Sequence, residues 1–179
     1  MIVQETSGGE LAPKKPQNAV CVAVIDVGEA YGIPPNTNSD VGPLGARLVP
    51  APPKSLYPEP KAAVRFIFES EELKEDKRPF RLTYQANCTM SDKGNLKPFL
   101  DSWGVELVRT PAGIDLEASC VGKSVKLNVV HDDKGETTWA NISTVMPSEV
   151  ELQPSGEFNK SEYMKYCEEQ YKEKQNKNR

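Results

Sequence analysis

The only histidine among 179 residues is followed directly by two aspartates, His131-Asp132-Asp133. Such a pair invites comparison with metal-dependent phosphohydrolases. Those centres need several further histidine ligands, and this sequence offers none. A nucleophile–base reading of His131 lacks a serine in a glycine-flanked elbow. Asp132-Asp133-Lys134-Gly135 are all turn formers between two strand-like runs. The sequence therefore predicts that His131 ends one strand and that these four residues turn the chain.

Two other groupings invite chemistry and lose it on inspection. Val121-Gly122-Lys123-Ser124 ends like a phosphate-binding loop, but Glu117 stands where the first glycine of that pattern belongs. The carboxylates Glu69, Glu71, Glu72, Glu75 and Asp76 lie in a charged turn between strands, where they keep the surface soluble. Cys21, Cys88, Cys120 and Cys167 are widely spaced, without a CxxC pair, and read as reduced structural thiols. No catalytic constellation emerges, so the expectation is a protein without enzymatic activity, metal or cofactor.

Composition narrows the class. Hydrophobic residues make up 37%, the net charge is −4 and the pI is about 5.2, so no global basic field draws in nucleic acid. No apolar run approaches the roughly 20 residues of a membrane span. MIVQETSGGELAPKKPQN lacks the charged start and apolar stretch of a signal peptide, which gives a cytoplasmic expectation.

Periodicity supplies the elements. Residues 1–18 read as a disordered N-terminal arm. AVCVAVIDVG (19–28) is a buried strand. From Tyr31 to Lys61 the chain carries eight of its 15 prolines, which predicts a long loop inserted after strand one. AAVRFIFESEEL (62–73) and FRLTYQANCTM (80–90) alternate with strand period. Leu96, Phe99, Leu100 and Trp103 form a helical stripe, with Pro98 in the first turn and Gly104 as the stop. RTPAGIDLEASC is a connector with a short helical turn. VKLNVVH (125–131) and TTWANISTVM (137–146) are the last strands. Residues 148–179 form a charged tail, partly helical, with Tyr163, Cys167 and Tyr171 four apart.

Five strands with one helix between the third and fourth match the order of a five-stranded OB-type barrel, placing a mainly β domain at 19–147. An α+β sheet with one covering helix is the competing architecture. Strand residues Arg65, Arg81, Lys126 and Trp139, with Tyr84 beside them, are the candidate binding set. Single-strand binders combine cations for phosphate with rings on which bases stack. Across 62–147 there are 11 basic and 13 acidic residues, so charge alone does not point to nucleic acid.

IDVG after strand one, the FIFE-type second strand, NLKPFLDSWGV and VGKSVKLNVVHDDKGETTWANISTVMP together resemble a family of small phage proteins. Its members carry LR.DLESWRG in the helix and GK.C.VNV.H...GK.YANI..V.P at the end. The resemblance covers roughly residues 19–147. It departs where Trp103 meets Gly104 without an intervening arginine, and where Val125 occupies a cysteine position. The family is held to be OB-fold single-stranded-DNA-binding proteins of phage replication and recombination modules. The resemblance thus implies sequence-tolerant binding of single-stranded DNA in the host cytoplasm, through Arg65, Arg81, Lys126, Trp139 and Tyr84. Replication or recombination proteins would be further partners. The alternative expectation is a non-enzymatic phage structural or adaptor protein, whose proline-rich loop docks a protein partner.

Overall fold

β1 (Pro16–Asp26) lies at the centre of a five-stranded antiparallel sheet. β2 (Ala63–Leu73), β3 (Pro79–Asn87), β6 (Ser124–Lys134) and β7 (Thr137–Met146) complete it in the order β3-β2-β1-β6-β7. Helix α1 (Leu96–Trp103) follows β3. A small hairpin of β4 (Val108–Thr110) and β5 (Gly113–Asp115) comes next, and the short helix α2 (Leu116–Cys120) leads into β6. Helix α3 (Lys160–Lys177) closes the chain. The computed structural model describes residues 10–27 and 63–177. Residues 1–9 of the expected arm and the expected proline-rich loop at 31–61 lie outside the described residues.

Alternation along the strands turns Val64, Phe66 and Phe68 of β2 inward, with Phe80, Leu82 and Ala86 of β3 and Val125, Leu127 and Val129 of β6. The apolar stripe of α1 packs on this face. Phe99 and Trp103 meet Phe66 and Phe68 at ring-centroid distances between 5.0 and 6.4 Å, mostly tilted or edge-on, the geometry that aromatic quadrupoles favour. Trp103 Nε1 donates to the Ser124 carbonyl at 2.8 Å, which ties the helix to the start of β6. Asn95 is the N-cap, and Gly104 ends α1 at φ +75°, donating its N–H to the Leu100 carbonyl. A Cβ on Gly104 would sit 3.3 Å from Pro147 Cγ.

In β1 a bulge between Cys21 and Ala23 reverses the alternation. Ala19 and Cys21 face the α1 core. Ala23 and Ile25 face the opposite side, where with Ile67 they meet Cys167, Tyr163 and Met164 of α3. The sheet is thus covered on both faces at its β1–β2 part.

Three sequence expectations are corrected. The sheet is not closed into a barrel. β3 and β7 approach each other along one side, but no ladder joins them among the described residues. The β6–β7 turn is only Gly135-Glu136, because Asp132, Asp133 and Lys134 remain in the ladder opposite Trp139, Thr138 and Thr137. Gly135, at φ +67°, supplies the left-handed backbone that a two-residue hairpin loop demands. Residues 10–15, expected within the arm, run against the sheet. Ala12 is buried, and its carbonyl lies 2.7 Å from His131 Nε2. Gln17, 1% exposed, donates to the Pro13 carbonyl and accepts from Ser70 Oγ.

Replacing Trp103 with alanine removes the ring that meets Phe66, Phe68 and Phe99 and should cost about 3–5 kcal/mol in a urea titration. Trp103→Phe keeps most of the packing but leaves the Ser124 carbonyl without its indole donor. It should cost about 1–3 kcal/mol by the same measurement.

Candidate nucleic-acid interface

Strand alternation sorts the five candidates before any contact is considered. Arg81 and Tyr84 are three apart on β3 and so point to opposite faces. Tyr84 belongs to the α1 side, where its ring stacks on Phe99 at 4.0 Å and 6°. Burial raises its phenol pKa above the ordinary value. Tyr84 also lines a cavity of about 190 Å³ at the seam between β3, α1 and β7, together with Asn95, Ser102 and Thr144. The structure therefore separates Tyr84 from the other four.

Arg65, Arg81, Lys126 and Trp139 share the outward face, in two groups. On β6–β7, Lys126 lies opposite Met146 and Trp139 opposite Asp132. Trp139 is 51% exposed and Met146 42%. Six residues of β6 separate the Lys126 and Asp132 positions, a span of about 20 Å. The row between them is polar. Asn128 donates to Ser143 Oγ at 2.9 Å, and Asn141 to Asp132 Oδ2 at 2.5 Å. Asp133 accepts from Thr138 Oγ1 at 2.6 Å. The two aspartates after the lone histidine are thus held within the hairpin.

On β2–β3 the second group is engaged by the segment after β7. Arg65 Nε donates to Gln85 Oε1 at 2.8 Å, its cross-strand neighbour. Arg65 Nη1 donates to the Tyr163 hydroxyl at 2.9 Å and lies 3.7 Å from Cys167 Sγ. Burial is the main cause that raises the Tyr163 phenol, and the Arg65 charge acts against it. The Arg81 guanidinium sits 5.0 Å above the Phe158 ring centroid, a cation–π distance. Directly opposite Arg81 in the β2–β3 ladder, Glu69 is only 4% exposed. Its carboxylate accepts from the Ser155 backbone N–H at 2.8 Å and from Ser155 Oγ at 2.6 Å, which satisfies the buried charge.

Ser155, Phe158, Tyr163 and Cys167 are the residues that sequence reasoning left out of the site. Their one signal was the four-residue spacing of Tyr163 and Cys167, which marks a helix face without naming what it packs on. Among the described residues no cluster of three or more His, Cys, Asp or Glu is placed to hold a metal ion. Nor is any helix among them long and apolar enough to cross a membrane. All four cysteines are free thiols.

Comparison with protein-family models, curated proteins and solved structures gave no match for this chain.

Burial sets the order of thiol reactivity. It is the main cause that raises the pKa of Cys21 and pushes Cys120 up to about 12, so at pH 8 about one part in ten thousand of Cys120 would be thiolate. Cys88 is exposed, while Cys21, Cys120 and Cys167 are buried. Titration of the native protein with a chromogenic disulfide at pH 8 should show one fast thiol, Cys88. The other three should react at a comparable rate only in denaturant.

Proposed function

We propose that this protein binds single-stranded DNA without sequence preference, as a non-catalytic component of a phage replication or recombination module. The observation that carries the reading is the outward row of β6–β7, where Trp139 is half exposed at one end and Lys126 stands near the other. About half of Trp139 is open to solvent, and an indole so placed on a strand offers a face on which a base can stack. Lys126, on the paired strand β6, offers the cation for a phosphate.

The strand order gives the reading its scaffold. The order β3-β2-β1-β6-β7, a helix between the third and fourth long strands, and the approach of β3 to β7 support the reading of an OB-type barrel opened along one seam. The resemblance to the phage family points the same way. A second reading, a non-enzymatic adaptor that docks a protein, draws on Asp132 standing directly opposite Trp139. A carboxylate beside the stacking ring repels a polyanion and suits a basic protein surface.

Fluorescence anisotropy with labelled oligo-dT separates the two. The DNA reading expects micromolar or tighter binding at low salt. Log K should fall with log salt by about 0.7 for each phosphate neutralised. Trp139→Ala should weaken binding by about 1–3 kcal/mol, the usual worth of a stacked base. Lys126→Ala should lower the salt slope by about 0.7. Absence of binding at about 20 mM salt by both the wild type and a variant with the β2–β3 arginines uncovered would remove the DNA reading.

A further inference from the structure

We infer that the segment after β7 is a built-in competitor for the Arg65–Arg81 half of the interface, and that DNA must displace it to use those two arginines. This rests on the reading of the outward face as the DNA site. The segment presents to each arginine what a nucleotide would present. Phe158 lays a ring under the Arg81 guanidinium at 5.0 Å, as a stacked base would. Tyr163 offers an oxygen acceptor to Arg65 Nη1 at 2.9 Å, as a phosphate or a base edge would. From Ser148 to Asn159 the strap carries Glu149, Glu151 and Glu157 and no basic residue. Ser155 anchors it on Glu69.

The cover is lightly held. Among the described residues, four buried hydrophobic ones, Ala23, Ile25, Ile67 and Cys167, form the cluster where α3 packs, against eighteen in the cluster where α1 packs. Few buried apolar contacts and a polar helix are the marks of a unit that opens locally below the global unfolding free energy. Two ligands for one surface are linked reciprocally. The factor by which releasing the strap tightens DNA equals the factor by which DNA favours release.

Cys167 reports release in the unaltered protein, because it is 5% exposed where α3 packs on Ala23, Ile25 and Ile67 of the sheet. Alkylation of native protein with and without saturating oligo-dT, followed peptide by peptide, should show Cys167 modified at least about fivefold faster with DNA, the low end of ordinary coupling. Cys21 and Cys120 in the other core should not change. In parallel, F158A/Y163A should bind oligo-dT tighter by a similar factor, with F158A alone as the milder variant should the pair fail to fold. Binding by the wild type with Cys167 unchanged or slowed overturns the competitor and leaves the DNA reading standing. Binding by a strap variant but not by the wild type supports a complete cover. Absence of binding by wild type and variants alike overturns both.

Discussion

One irregularity in the middle strand sets how the two faces of the sheet are filled. β1 is paired on both edges, to β2 and β6, and has a packed cluster on each of its faces. The bulge between Cys21 and Ala23 lets its first half point small side chains at α1 and its second half point Ala23 and Ile25 at α3. A regular strand would instead have turned Val20, Val22 and Val24 to the α3 side and Ala23 and Ile25 to the α1 side. The one extra residue thus decides which side chains of β1 meet each helix.

Much of the scaffold was legible in the chain. Period-two runs gave the long strands within a few residues of their ends, and the Leu96–Phe99–Leu100–Trp103 stripe with Gly104 gave α1 almost to the residue. These signals are strong because one face of each element is buried and the other is not. The β6–β7 corner was harder. Asp132 and Asp133 have turn-forming side chains, yet cross-strand hydrogen bonds from Asn141 and Thr138 hold both in the ladder. Only glycine is required at the corner itself, and turn composition does not say where pairing stops. The β4–β5 hairpin has three residues per strand, too few to show a period.

The candidate site was legible in its residues but not in its grouping. Alternation alone separates Tyr84 from Arg81, and the structure uses Tyr84 to extend the aromatic core through Phe99. What alternation cannot show is which outward residues another segment covers. α3 is polar along most of its length, and Tyr163, Met164 and Cys167 give it a footing. A helix with so narrow an apolar face looks solvated when read as a sequence. The contacts that bring Phe158 to Arg81 and Tyr163 to Arg65 span about 80 to 100 residues, beyond the reach of any local pattern.

The seam between β3 and β7 sets the mechanics of the molecule. Every other neighbouring pair in the sheet is stitched by backbone hydrogen bonds, which are stiff and short-ranged. Across the seam, among the described residues, the connection runs through side chains of α1, chiefly the Tyr84–Phe99 stack and the lining of the cavity beside it. Van der Waals contact yields gradually, while a ladder breaks in steps. The curl of the sheet therefore has one compliant direction. A shift of α1 would change the gap between β3 and β7 without breaking a strand pairing.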